Sequence, residues 1–395
     1  MSTQPIRPDQ TGVTGEEFEL FRPEHEELRA QVRAFVEKEL LPNAREWERD
    51  EAFPKEVFRR VGELGFFGMK YPEEVGGSGP DFLADAVVTE ELAGCGSAGV
   101  SASLGAHKDL ASLYVFNFGT PEQHSRWLVP SLEGSVVGAL GVTEPDAGSD
   151  VAAIRTSARR DGDDWVINGS KIFITNGAWA DYVVVAAKTD PDAGYKGITL
   201  FVVDTDTPGF SSSKMRMLGW RSGATGELSF ADVRVPDANR LGDVGSGFYA
   251  IMQNFAWERL VMALAQSSGA QRTYEIAKQY ALDRSAFGRP VGKFQVWRHR
   301  FADLATRIEA GRALTYHALR LYLSGENPIR EVAMAKYYTS EVAFLAADEC
   351  MQIHGGHGYT VEFPAERALR DARLGPIGGG TTEIMKDIIG KTYGL

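Results

Sequence analysis

The sequence predicts an α+β protein of several domains, in the order helical, β, helical. Three observations carry this. Apolar residues recur with helical spacing up to about residue 134; short Val-, Ile- and Phe-rich runs follow, with no helix of useful length between them; and long helical periods return beyond Gly247. With 395 residues the chain is too long for one small core. The expected boundaries are 1–134 for an N-terminal helical domain, 135–245 for a middle β-domain and 246–395 for a C-terminal helical bundle.

The elements justify themselves in order. In EHEELRAQVRAFVEKEL, Leu28, Val32, Phe35, Val36 and Leu40 fall on one helical stripe. PKEVFRRVGELGF reads as a second helix opened by Pro54 and closed by Gly65, and LADAVVTEELAG and PEQHSRWLVPSL continue the pattern. DDWVINGSKIFITNG has two β-prone runs about Asn168-Gly169, which predicts a hairpin at that pair. ADYVVVAAKT, KGITLFVVDTD and GELSFADVRVP follow as strands, and without intervening helices they predict an antiparallel sheet and not a βαβ arrangement. The three long helical stretches after Gly247 suit an antiparallel bundle.

Composition excludes some functions. A formal net charge of −12 argues against a nucleic-acid binder, which needs a basic face. Cys95 and Cys350 lie far apart in apolar contexts and read as buried thiols of a reducing compartment. The stretch MSTQPIRPDQTGVTGEE lacks a signal-peptide core, and no run approaches the ~18 apolar residues of a membrane span. The expectation is a soluble cytoplasmic protein with a short frayed N-terminal tail.

GSGFYA, from Gly245 to Ala250, fits a loose dinucleotide-binding pattern but lacks the preceding strand and the βαβ frame, so it reads as glycines opening a helix. HGGHG, from His354 to Gly358, has two histidines but no third ligand nearby, and reads as a close backbone approach and not a metal site. VTEPDAGSD, from Val142 to Asp150, is a polar loop where helix gives way to strand; its N–H groups and hydroxyls suit anionic or carbonyl oxygens, or simply a tight connector. LGPIGGGTTEIM is a backbone built for close approach, without a reactive side chain.

In order, VTEPDAGSD, INGSKIFITNG, DRSAFGRPVGKFQ, MQIHGGHGY and RDARLGPIGGGTTEIM resemble the motifs of the acyl-CoA dehydrogenase family, from about residue 18 to the C-terminus. The resemblance implies a barrel-like middle domain, a C-terminal four-helix bundle, and FAD bound between subunits. It implies that Val142 and Thr143 meet the flavin ring by N–H and hydroxyl, and that Ser149 reaches the cofactor diphosphate or the thioester side of the substrate. Phe173 falls where the family commonly has Trp on the flavin, and Thr175 on a further flavin contact; strand alternation would put both on one face. Arg284, Phe287, Gln295, Gln352, Gly355 and Gly356 fall on the family's contacts to a neighbouring subunit's FAD, with Ala286 replacing a family Thr. Thr381 and Glu383 match positions around FAD, though Glu383 equally suits a solvated helix start. The implied assembly is a homotetramer, a dimer of dimers.

The chemistry implied is α,β-dehydrogenation of an acyl-CoA to its trans-2-enoyl-CoA: a carboxylate removes the Cα proton, hydride passes from Cβ to flavin N5, and electron-transferring flavoprotein takes the electrons. Many members carry that carboxylate at the position matching Gly379, which here has no side chain. A second group, including the long-chain and isovaleryl enzymes, supplies it from the first helix of the C-terminal domain, where NFAWERLVM places Glu258. Phe255, Arg259, Ser149 and Gly379 are the matching substrate contacts, Gly379 as a backbone donor with open space beside it. Apolar neighbours would raise the Glu258 pKa and Arg259 would lower it. His107 and Lys108 align near the far end of the acyl site, where Lys108 suits either a surface position or the ω-carboxylate of a dicarboxylyl-CoA. Alternatives in the same fold are an oxygen-using oxidase and a non-catalytic flavoprotein.

Overall fold

The computed structural model describes residues 20–395. The expected N-terminal tail lies outside them. Helices α1 (Pro23–Phe35), α2 (Ala44–Arg49), α3 (Glu56–Glu63), α4 (Phe82–Leu92), α5 (Ala98–Gly105), α6 (Ser112–Phe118), α7 (Pro121–Gln123) and α8 (Val129–Leu132) form the first part. The predicted stripe on α1 continues into a π-turn at Val36–Leu40, with Val32, Phe35, Val36 and Leu40 buried. A second π-turn, Ala106–Ala111, joins α5 to α6. Its wider winding rotates the helical face, so that His107, Lys108 and Asp109 are buried in succession.

Strands β1 (Gly138–Gly141), β2 (Ser157–Asp161), β3 (Asp164–Ile174), β4 (Tyr182–Lys188), β5 (Ile198–Asp204), β6 (Phe210–Lys214), β7 (Gly226–Pro236) and β8 (Arg240–Leu241) form one sheet. Its order is β6-β7-β3-β2-β4-β5-β8, with β1 also on β4. The sheet is mixed and not wholly antiparallel: β1 runs parallel to β4, and β2 meets β4 in parallel through Ser157 and Lys188.

The hairpin expected at Asn168-Gly169 lies elsewhere. The chain turns between β2 and β3, where Asp161 pairs with Asp164 across Gly162 and Asp163. Asn168 and Gly169 sit inside β3, at a bulge against β7. Gly169 has φ +147°, and a Cβ there would stand 2.5 Å from Thr156 Oγ1. The same backbone freedom that suits a turn here serves a bulge. Asn168 secures it by exchanging two hydrogen bonds with Asp232.

The last part consists of α9 (Gly247–Asp283), α10 (Gln295–Leu323) and α11 (Ile329–His354), completed by α12 (Pro364–Ala372) and α13 (Thr382–Thr392), with a small hairpin of β9 (Ser285–Ala286) and β10 (Arg289–Pro290) after α9. GSGFYA does open a helix: the Gly245 N–H donates to Thr199 Oγ1 at 2.9 Å, and Gly247 packs on the Ile198 carbonyl, seating the start of α9 on β5. Trp257, fully buried on α9, stands edge-on to Phe82 of α4 and packs on Tyr322 of α10. No helix among the described residues is long and apolar enough to cross a membrane.

Candidate functional site

The glycine loop packs against the face of α9 that carries Met262, one helical turn from Glu258. Met262, four residues after Glu258 and hence above it on that face, has its Sδ where a Cβ on Gly379 would stand. Arg259 comes to 3.7 Å from a Cβ on Gly380. The space beside Gly379 is therefore filled, contrary to the sequence expectation, and its φ of +63° also disfavours a side chain. Lys336 of α11 closes the loop by donating to the Gly375 carbonyl at 2.9 Å and the Gly380 carbonyl at 2.5 Å. Burial, with Arg259 nearby, pushes the Lys336 pKa down to about 8. Among the described residues no acceptor in the chain takes the Gly379 amide.

Glu258 is 9% exposed, and Tyr114 Oη of α6 donates to its Oε1 at 2.9 Å. Burial raises its pKa to about 7, against the opposing pull of the Tyr114 hydrogen bond and the Arg259 charge; Asp109 adds to the rise. Arg259 lies over the Phe255 ring at 4.7 Å, and its Nε is buried without a hydrogen-bond partner, as are Asn254 Nδ2 and Thr382 Oγ1.

Beneath Glu258 lies a neutral quartet. Lys70 and Lys108 both donate to Asp109 Oδ1, at 2.6 and 2.9 Å, and both also reach Asp85. Trp257 Nε1 donates to the same Asp109 oxygen at 3.1 Å. Burial opposes ionisation of Asp109, but the two ammoniums outweigh it and hold its pKa well below the usual carboxylate range. Lys108 is thus neither at the surface nor free for an ω-carboxylate, since its charge is already matched. His107 is equally closed: Nε2 donates to the Ser131 carbonyl, Nδ1 accepts from Gly138 N–H, and burial pushes its pKa down to about 4.

The Val142–Asp150 loop follows β1 and is fastened from below. Lys171 Nζ donates to the Val142 carbonyl at 3.0 Å and to Glu144 at 2.7 Å, while Glu144 accepts from the amides of Arg155 and Thr156. Burial pushes the Lys171 pKa down to about 8 despite Glu144. In a trans peptide the N–H points opposite the carbonyl, so the Thr143 amide is aimed away from Lys171; among the described residues no backbone acceptor meets it. Ser149 lies exposed at the rim of this loop. Phe173 is 55% exposed at φ +61°, where a bulge interrupts β3, and Thr175 lies in the turn beyond it. Regular alternation therefore does not relate these two residues.

Arg284, Phe287, Gln295, Gln352, Gly355 and Gly356 gather at the far end of α9. Tyr280 ties the group together: its ring stacks on His354, and its hydroxyl reaches the His354 carbonyl and His357 Nδ1. All six are exposed, Phe287 at 95%. A Cβ at Gly355 or Gly356 would meet nothing in the chain within 4 Å; of the HGGHG glycines, Gly358 is the one in close contact, against the Met351 carbonyl. Ala286 is half-buried in β9. At α13 the Thr381 hydroxyl caps the helix, accepting from Ile384 N–H. Glu383 is exposed in the first turn, its pKa lowered by its own amide and by Thr381, as befits a solvated helix start. Among the described residues no group of three His, Cys, Asp or Glu is placed to hold a metal. Both cysteines are free and buried, and burial raises their pKa values to about 11 and about 12.

Sequence reasoning missed Tyr114, Asp109, Met262, Lys336 and the Lys171–Glu144 pair. Lysines embedded in apolar runs, such as AMAKYY and SKIFI, were the signal available.

The acyl-CoA dehydrogenase N-terminal, middle and C-terminal domain families match residues 22–135, 139–233 and 245–394. The mitochondrial long-chain specific acyl-CoA dehydrogenase of Mus musculus is 40% identical over 375 residues, covering 94% of this chain and 87% of that protein. The mitochondrial short-chain specific enzyme of Bos taurus is also 40% identical, over 370 residues, covering 92% and 89%. The crystal structure of acyl-CoA dehydrogenase from Geobacillus kaustophilus superposes with a TM-score of 0.92 at 40% identity, covering 95% of this chain and 99% of that one. The chain belongs to the acyl-CoA dehydrogenase family, whose members are flavin-dependent oxidoreductases acting on acyl-CoA substrates.

Proposed function

We propose that this chain dehydrogenates an acyl-CoA thioester between Cα and Cβ, with Glu258 as the base. The observation that carries the reading is the pairing of a buried carboxylate near neutral pKa with a glycine loop that leaves no room for another. A base whose pKa lies near the working pH combines availability with driving force. The unpartnered Gly379 amide suits the thioester oxygen, where negative charge grows as the Cα proton leaves. Glu258 takes that proton; FAD, when bound, would supply the two-electron oxidising power.

The chain's residues fit that cofactor. The outward Thr143 amide and the exposed Phe173 ring offer a donor and an apolar face to a flavin, and the rigid Lys171–Glu144 support keeps the loop in place. The Arg284–Gln295 group stands some 26 residues along α9 from Glu258, about 39 Å at the helical rise. That separation favours a cofactor shared between two chains, and with it a homotetramer, the two ends belonging to different subunits. Electron-transferring flavoprotein as acceptor and a cytoplasmic setting complete the reading.

Substitution of Glu258 by Gln tests it. The flavin-loaded variant, mixed anaerobically with straight and branched acyl-CoAs of several lengths, is expected to bleach at least 10²–10⁴-fold more slowly than the parent. Bleaching within a few-fold of the parent would refute Glu258 as base. Absence of bleaching in the parent with every thioester would instead favour a non-catalytic flavoprotein, and rapid oxygen consumption an oxidase.

A further inference from the structure

Two adjacent residues of α9 are gripped from one segment of the N-terminal domain. Asp109, in the π-turn before α6, takes the Trp257 N–H; Tyr114, five residues on, donates to Oε1 of Glu258. Trp257 and Tyr114 are both fully buried, so neither bond is loosened by solvent. Tyr114 is the one hydrogen-bond partner of the Glu258 side chain among the described residues, and it occupies a single carboxylate oxygen.

We propose that Tyr114 is a positioning residue for the proton-abstracting carboxylate: it holds Oε1 of Glu258 and leaves Oε2 to take the Cα proton. The inference rests on Glu258 being the base. The Cα–H bond breaks, its proton forms an O–H bond to Oε2, and the bonding pair becomes the Cα=Cβ π bond as hydride leaves Cβ, for which FAD, when bound, would be the two-electron acceptor.

The bond has a second effect. A hydroxyl donating to a carboxylate favours its charged form. Without it, the burial that raises the Glu258 pKa acts with less opposition. The other charged groups about Glu258 are Arg259 on its own helix, with Lys336 of α11 behind it, and Asp109 with its partners Lys70, Lys108 and Asp85. The quartet is internally neutral and is tied to α9 through the Trp257 N–H. Tyr114 is therefore the contact whose removal changes the base with least disturbance elsewhere.

The test is the pH dependence of kcat/KM for flavin-loaded parent, Tyr114→Phe and Glu258→Gln. Tyr114→Phe should move the acid limb upward by about one pH unit, costing about tenfold in rate below it. The Glu258 carboxyl band in infrared difference spectra, identified by its loss in Glu258→Gln, should shift by the same amount without turnover. Should Tyr114→Phe fail to fold, a ring-fluorinated tyrosine at position 114 gives the opposite sign: a more acidic phenol donates more strongly and moves the limb down. A uniform loss at every pH, with limb and band unmoved, would overturn the proposal and leave Glu258 as base. Undiminished turnover by Glu258→Gln would remove the base and this proposal together.

Discussion

The two ends of α9 differ in what surrounds them. Around Glu258 the carboxylates are answered from within the chain: Tyr114 holds Glu258, Lys70 and Lys108 neutralise Asp85 and Asp109, and Trp257 ties that quartet to the helix, while Arg259 Nε stays without a hydrogen-bond partner. Around Arg284 and Phe287 the residues face outward, and Gly355 and Gly356 have no neighbour in front of them. The first region is finished by folding; the second presents contacts for something the chain does not supply. Chemistry and cofactor grip should therefore separate under mutation.

The largest effect is expected in the finished region. Asp109→Ala removes the shared acceptor of two buried ammoniums and of Trp257, and should cost about 3–5 kcal/mol in denaturant unfolding. A change below 1 kcal/mol would show that water reaches the quartet. Next is the attempt to move the base. Gly379→Glu on the Glu258→Gln background should not restore bleaching, because Met262 occupies the Cβ position and φ is positive there. Adding Met262→Ala should recover measurable activity; recovery without it would show that the loop is free to move. The smallest effect on folding is expected at the outward end. Arg284→Ala should change unfolding free energy by no more than about 0.5 kcal/mol, yet weaken flavin retention on dilution. A large loss of stability with flavin retention unchanged would erase the contrast between the two ends.

The sequence made the α–β–α order legible because helical and strand periods are local properties. Glu258 as candidate base comes from a less local source, the family resemblance: with no side chain at Gly379, it points to the carboxylate in NFAWERLVM. Tyr114 was not legible, since an aromatic on a helix's apolar face reads as core until its hydroxyl finds a partner. Lys108 misled because HKD in a regular helix reads as exposed; the π-turn turns all three residues inward. Asn168-Gly169 misled because hairpins and bulges ask the same backbone freedom of glycine, and long-range pairing with β7 decided between them.

The central claim, that Glu258 takes the Cα proton, is tested most directly by uncoupling proton removal from hydride transfer. An acyl-CoA analogue with oxygen in place of Cβ can exchange its Cα proton but cannot lose a hydride. Incubated in D₂O with flavin-loaded parent, it should take up deuterium at Cα, at a rate that rises as pH passes through about 7; with Glu258→Gln it should take up none above background. Uptake by Glu258→Gln at the parental rate would contradict the account.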